Sequence, residues 1–319
     1  MKETQTFRKY LIEEFYDDYR EGEISRRTFI RRVAFLTGSM AATIAAMSAV
    51  GCKPIELPAA TEPMPTDTPA APPTSVPPTD PQSPLSVAED DPDVSASAVT
   101  FPNGGDEIMG YLARPAAEGV YPAILVCHEN RGLNPHIEDV ARRFAKNGYV
   151  ALAVDLLSRE GGTGAHDRDA VPGLLTDAGA DRHVGDFLAA ADYLQTLAYV
   201  DGERLGMIGF CFGGGITWRV ATALPTLKAA VPFYGPAPEI EQVPNIQAAV
   251  LGVYAEQDER INAGIEPLQA ALDAAGTTYQ INIYPGVNHA FHNDTGQRYN
   301  EEQATQAWED ALAWFAEYV

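Results

Sequence analysis

The sequence predicts a doubly wound, mostly parallel α/β sheet with helices on both faces, and three observations carry that expectation. Short apolar runs alternate with amphipathic ones through the last two-thirds of the chain, the pattern of repeated strand–helix units. Some of the runs, such as Ala123-Ile124-Leu125-Val126-Cys127, are continuously apolar, as strands covered on both faces are. Chemistry-bearing residues fall just past the ends of several runs, where an open parallel sheet collects its working groups.

In order, residues 97–115 alternate around Asn103-Gly104-Gly105-Asp106 and read as a hairpin of Val99-Thr100-Phe101 with residues 108–113. Residues 123–127 form a buried strand that runs into His128-Glu129-Asn130-Arg131-Gly132. Residues 135–146 are helical, with Val140, Phe144 and Ala145 on one face and Asn147-Gly148 as the stop. A strand at 149–156, a polar Gly-rich loop at 158–177 and a helix at 181–197 follow. The strand at 205–210 turns through Cys211-Phe212-Gly213-Gly214-Gly215 into a helix at 216–223. Strands at 228–234 and 248–254 end at Gly235-Pro236 and at Ala255-Glu256-Gln257-Asp258. A helix at 266–275 and a strand at 279–284 lead to Gly286-Val287-Asn288-His289-Ala290-Phe291. Residues 301–319 close the chain as a helix with Trp308, Leu312 and Phe315 facing inward.

The beginning of the chain reads differently. Ser25-Arg26-Arg27-Thr28-Phe29-Ile30-Arg31 matches a twin-arginine export signature, and the charge-free, weakly hydrophobic run at 33–50 completes a Tat-type signal peptide over residues 1–51. An ordinary membrane anchor is the competing reading, since the run is near the lower length for spanning. Before Arg26, Phe7, Tyr10, Leu11 and Phe15 fall on one side of a short amphipathic helix. Gly51-Cys52 resembles a lipobox, which predicts a diacylglycerol on Cys52 and attachment to the outer face of the cell membrane or the periplasm; cleavage nearby to a soluble form is the alternative. Residues 52–97, rich in Pro, Thr, Ala, Ser and Asp, read as a disordered stalk. Residues 98–319 are then one domain with room for a sizeable core. Its surface is acidic, because the chain carries a formal charge of −22 while eight of its 22 Lys and Arg precede Val33. Nucleic acid, which needs a basic face, is excluded as a partner. With Cys52 lipidated, Cys127 and Cys211 cannot make a disulfide framework.

Gly209-Phe210-Cys211-Phe212-Gly213 has the spacing of a nucleophile elbow set between a strand and a helix. Glycine on both sides removes side chains that the tight turn would press together. The helix N-terminus behind Cys211 favours a thiolate. The bland reading is a structural cysteine beside a packing turn. Against it, Asp258 and His289 follow at two further strand ends, giving the chain order nucleophile, acid, base. A histidine can take or balance the thiol proton, and a carboxylate can hold its tautomer and charge. Taken singly, Asp258 could cap a turn and His289 could be a polar loop residue. His128, His136, His166, His183 and His292 lack metal-ligand spacing and read as surface or loop residues, so neither metal nor cofactor is expected.

On those residues the chain from about Val99 resembles the dienelactone hydrolase family, cysteine-dependent members of the α/β-hydrolase superfamily. Gly209 to Gly214 is similar to its elbow, and Gly286 to Phe291 to its histidine loop. His128-Glu129-Asn130-Arg131-Gly132-Leu133-Asn134 resembles the segment carrying its glutamate. The resemblance implies an α/β-hydrolase fold and hydrolysis of lactones or small activated esters, of the carboxymethylenebutenolidase type, through an acyl-thioester. It implies a resting thiol bonded to Glu129, for which a salt bridge to Arg131 is the competing role. It also implies an oxyanion hole of the Phe212 and Asn130 backbone N–H groups. One departure bears on substrate: the family's best-known members carry an arginine four residues after the histidine, where this chain has Asn293. The family's second substrate-binding arginine has no assigned counterpart in the 158–177 loop, although Arg159 and Arg168 are there. The competing function is a tethered binding lipoprotein that keeps the shell without catalysis. A peptidase or serine-type esterase is disfavoured by cysteine at the elbow.

Overall fold

The computed structural model describes residues 2–22, 24–49 and 83–319, which fall into two units divided between Gln82 and Ser83. Cys52 and residues 53–82 of the expected stalk lie outside the described residues.

Among its described residues the first unit has three helices: α1 (Lys2–Arg20), α2 (Arg26–Thr37) and α3 (Met40–Ala49). Ser25 caps α2 by accepting the Thr28 N–H at 3.1 Å, so the twin-arginine pair opens that helix. Tyr19 of α1 stacks on Phe29 of α2 with ring centroids 5.5 Å apart. Among the described residues no single helix is long and apolar enough to cross a membrane; 26–37 and 42–49 pass that test only as a pair, bent by 116°.

The second unit is built on one eight-stranded sheet. Its strands are β1 (Val94–Asn103), β2 (Asp106–Pro115), β3 (Tyr121–Cys127), β4 (Val150–Val154), β5 (Val200–Phe210), β6 (Ala229–Phe233), β7 (Ala249–Ala255) and β8 (Tyr279–Tyr284). They lie in the order β1-β2-β4-β3-β5-β6-β7-β8. β1 and β2 form the expected antiparallel hairpin and β2 meets β4 antiparallel, while every pairing from β4 to β8 is parallel. Every residue of β4, β6 and β7 is buried, which is why those runs do not alternate.

Helices cover both faces: α4 (Pro135–Lys146), α5 (Val171–Ala178), α6 (Ala180–Gln195), α7 (Phe212–Ala223), α8 (Glu259–Asn262), α9 (Ile265–Ala275) and α10 (Glu301–Tyr318). α4 and α10 pack together, with Phe144 4.6 Å from Trp308 and 5.6 Å from Phe315 between ring centroids, and α6 runs against α7.

Three expectations change. The second unit starts at Ser83 rather than at residue 98: the Val87 N–H donates to Asp139 at 2.7 Å, Lys146 pairs with Asp91 and Asp93, and β1 begins at Val94. Residues 83–93 are held by polar bonds rather than by apolar burial, so composition does not reveal them. The 158–177 loop contains α5, whose Pro172 sits in the first turn where proline is tolerated. α7 starts at Phe212, taking the three glycines into the helix.

Candidate active site

β3, β5, β6, β7 and β8 end in register, with Cys127 beside Gly209, Phe210 beside Phe233 and Ala255 beside Tyr284. The chain therefore delivers Glu129, Cys211, Tyr234, Asp258 and His289 to one rim.

Cys211 stands between β5 and α7 at φ 57, ψ −117, outside the regions a side chain prefers. The glycines explain how the turn closes. A Cβ on Gly209 would fall on the Gly213 carbonyl oxygen and Thr217 Oγ1; one on Gly213 would lie 2.5 Å from the His128 oxygen and 2.6 Å from the Cys127 oxygen. These obstacles are mostly backbone, so they cannot rotate away. The Cys211 N–H is anchored on the Phe233 carbonyl at 3.0 Å. Phe212, whose N–H was expected in the oxyanion hole, is the first residue of α7, where backbone N–H groups lack intrahelical acceptors.

Asp258 makes both contacts weighed from the sequence, the turn cap and the approach to histidine. Its Oδ1 caps α8 by accepting the Ile261 N–H at 3.3 Å, and its Oδ2 lies 2.5 Å from His289 Nδ1. The two loops are tied in parallel by Glu256 Oε2 to the Gly286 N–H (2.8 Å) and by the Gln257 N–H to the Val287 carbonyl (3.0 Å). With Nδ1 engaged by Asp258, His289 interacts with the elbow cysteine, a ring nitrogen lying within 4.8 Å of Cys211 Sγ. Burial alone would push the imidazole down, but the Asp258 carboxylate and the Cys211 sulfur outweigh it and hold His289 well above its ordinary value. Burial likewise opposes the Asp258 charge, and His289 reverses it, leaving Asp258 below the usual carboxylate range.

Glu129 is buried beside this group. Its Oε2 accepts from Asn293 Nδ2 at 2.5 Å and its Oε1 from the Tyr234 hydroxyl at 3.5 Å. Asn293, at the position where the resemblance led one to look for an arginine, is thus a partner of Glu129. Arg159 is bound by Asp106 and, through Nη1, by Asp186 at 2.8 Å; two carboxylates already use its charge. Arg168 is exposed. Asn130, the other expected oxyanion-hole residue, is buried in the turn that follows Glu129.

Sequence reasoning missed Tyr234, which is fully buried at φ 35 with its ring centroid 5.1 Å from that of His289. It also missed that four histidines are buried: His136 and His183 lie in helices, while His128 and His292 are on loops as expected but face the interior. His128 Nε2 accepts the Leu156 N–H at 3.4 Å, so Nδ1 donates to the Glu129 carbonyl at 2.6 Å and fixes that backbone. His183 bonds the Leu175 carbonyl at 2.8 Å, and His292 lies stacked 5.1 Å from Phe210.

A sheet in this strand order, with an elbow after β5 and a histidine–aspartate pair carried beyond β7 and β8, defines an α/β-hydrolase, and the protein is a hydrolase of that class. The dienelactone hydrolase family model matches residues 108–319, two-thirds of the chain. The chain belongs to the dienelactone hydrolase family. It is 37% identical over 240 residues to the Salmonella typhi protein named "Putative carboxymethylenebutenolidase", spanning 70% of this chain and 88% of that one. Among solved structures it is similar to the "Putative Dienelactone Hydrolase" of Klebsiella pneumoniae subsp. pneumoniae, at TM-score 0.66 and 35% identity over 70% of this chain and 99% of that one. A dienelactone hydrolase from Anabaena variabilis is similar at TM-score 0.53 and 25% identity, over 71% and 99%.

Proposed function

We propose that the protein is an exported, lipid-tethered hydrolase of lactones or small activated esters, working through a Cys211–His289–Asp258 triad and an acyl-thioester. The observation that carries the reading is the single imidazole set between the Asp258 carboxylate and the elbow sulfur. Family membership and the carboxymethylenebutenolidase relatives support the bond type. The twin arginines and Gly51-Cys52 support export through the Tat machinery and a lipid on Cys52.

In the reaction, the Cys211 thiolate attacks the carbonyl carbon, and the oxyanion takes hydrogen bonds from the Phe212 and Asn130 N–H groups. Protonated His289 gives its Nε2 proton to the departing alkoxide as the carbon–oxygen bond breaks, leaving the acyl-thioester. The neutral imidazole then takes a proton from water, whose oxygen attacks the thioester. Collapse releases the carboxylic acid product and returns the thiolate–imidazolium pair. Asp258 keeps Nδ1 protonated throughout. Asn293 carries no charge and its amide is engaged by Glu129, so this position offers a substrate carboxylate no bidentate partner. Neutral esters and lactones should be hydrolysed at least as well as a carboxylated dienelactone.

A panel of chromogenic esters, lactones and thioesters with wild type, Cys211→Ala and Cys211→Ser tests the reading. Cys211→Ala should lose most activity. Cys211→Ser should lose at least about two orders of magnitude, since a hydroxyl is far less acidic than a thiol. Intact mass should show an acyl adduct on wild type alone, and iodoacetamide should label Cys211 before Cys127, whose thiol is pushed up by burial and by Cys211. Full activity in Cys211→Ala would reject the mechanism, and no turnover of any panel member would favour a tethered binding protein.

A further inference from the structure

Glu129 and Asn293 are 164 residues apart in sequence, yet their side chains meet at 2.5 Å. The amide is oriented from its far side: Asn293 Oδ1 accepts from the Thr295 N–H at 3.0 Å and the Thr295 hydroxyl at 2.7 Å, which turns Nδ2 toward Glu129. The next residue, Asp294, is buried and spends both oxygens on fixed partners. Oδ1 lies 2.8 Å from His136 Nδ1; Oδ2 lies 2.6 Å from Arg143 Nη2 and accepts from Ser86 Oγ at 3.1 Å. Arg143, 1% exposed, is itself held by Asp139 through Nε at 2.9 Å. His136, Asp139 and Arg143 all belong to α4, whose cap Asn134 lies five residues after Glu129. Both members of the Glu129–Asn293 pair are therefore referenced to one helix, Glu129 through the chain and Asn293 through the Asp294 clasp.

Resting on the proposed role of Cys211 and on the contact with the resting thiol that the family resemblance implies for Glu129, we infer that Asp294, clasped by His136 and Arg143, is a positioning residue that holds Asn293 against Glu129 and so governs how far the glutamate reaches toward the Cys211 sulfur. The clasp does not touch the reacting atoms. It fixes one carboxylate oxygen on the amide. Release of that oxygen lets the glutamate turn toward the thiol, where a second negative charge is disfavoured and the thiolate becomes harder to form. Titratable groups that bear on the sulfur include His289, Tyr234 and Cys127, and Tyr234 in turn faces Glu129; Asp294 faces His136, Arg143, His292, Tyr234 and Tyr299.

The test is the pH dependence of iodoacetamide alkylation at Cys211, read by mass, together with kcat and KM on one neutral ester. The variants are Asn293→Ala, Asp294→Asn and His136→Phe. The last removes one donor while Arg143 still balances Asp294, so it remains informative if Asp294→Asn does not fold. Asn293→Ala should move the alkylation midpoint up by at least about half a pH unit. His136→Phe and Asp294→Asn should move it the same way by less, with kcat falling and KM nearly constant, and Asp294→Asn/Asn293→Ala should go no further than Asn293→Ala. A clasp variant that lowers thermal stability but leaves midpoint and kcat at wild-type values reduces the cluster to structural support and overturns the inference. If instead alkylated wild type keeps its activity, the proposed role of Cys211 has failed, and that outcome is separate.

Discussion

Asp258→Asn isolates what the carboxylate does for His289. The variant keeps the shape, removes the charge, and replaces an oxygen 2.5 Å from Nδ1 with an amide group. Two unit charges about 4 Å apart at an effective dielectric near 20 attract by about 4 kcal/mol. If the imidazolium is needed along the path, that energy corresponds to about three orders of magnitude in rate. An amide that turns its NH2 toward Nδ1 adds to the loss, because the proton then sits on Nε2 and the ring cannot accept another there. The expected result is a fall in kcat of about 10³-fold or more with KM little changed, and slower alkylation of Cys211 at neutral pH. Stability checks the same interaction independently. The folded-state value of Asp258 is lowered, so its contribution is present above the unfolded carboxyl value near ~3.9 and is lost as pH falls through the folded value. The stability deficit of Asp258→Asn should therefore be largest above about pH 4 and close in acid. A kcat loss under tenfold, with wild-type alkylation and a pH-independent deficit, would refute the reasoning.

Other outcomes follow from the same geometry. Gly213→Ala places a Cβ 2.5 Å from one carbonyl oxygen and 2.6 Å from another, and should cost about 1–3 kcal/mol of stability along with most activity; an unchanged melting temperature would show that the elbow has slack. His183, pushed down to about 3 first by burial, binds a proton when unfolded below ~6.5 but not when folded, so stability should fall as pH drops from 6.5 toward 3, by roughly 4 kcal/mol from this group. Urea titrations of wild type and His183→Phe across that range measure it, and equal slopes would remove His183 as the source. Cys52→Ala should move the protein from membrane to soluble fractions, since the acyl pair supplies the attachment; unchanged partitioning would exclude the lipid.

Much of the sheet was legible because burial on two faces leaves a periodicity in composition. α4 and β8 fall at the boundaries read from the sequence, Pro135–Lys146 and Tyr279–Tyr284. The start of α7 was not legible: three consecutive glycines are poor helix formers, and the reason for them is tertiary. Gly214 approaches the Phe233 carbonyl and Gly215 packs against Pro236, contacts that no local pattern encodes. The histidines failed for a related cause. His128 and His183 bond backbone carbonyls, and His292 is stacked in a neutral state that burial enforces, while their sequence neighbours look like those of any polar loop. Asn293 was noticed only as a missing arginine, because its partner Glu129 comes from the far end of the domain.

Backbone strain unites the parts of the site that sequence found with those it missed. Among the described residues the non-glycine positions with positive φ are Cys211, Tyr234 and Ala290, at 57, 35 and 64. All three sit at the same rim: the elbow residue, the tyrosine that reaches Glu129, and the neighbour of His289. Each such conformation costs about 1–3 kcal/mol and persists only where its surroundings over-determine it. The anchors are visible, from the Cys211 N–H to the Phe233 carbonyl (3.0 Å), from the Tyr234 N–H to the Val253 carbonyl (2.7 Å), and from the Asn293 N–H to the Ala290 carbonyl (3.0 Å). The first two lock the ends of β5 and β6 to the neighbouring strands. The third ties the histidine loop to the residue that holds Glu129, so the loop that carries His289 and the loop that carries the glutamate cannot drift independently. Ala290→Gly should relieve the local strain and raise stability, yet lower kcat by loosening the angle at which His289 meets the sulfur. A variant both more stable and equally active would show that the strain at this position serves folding history rather than the site.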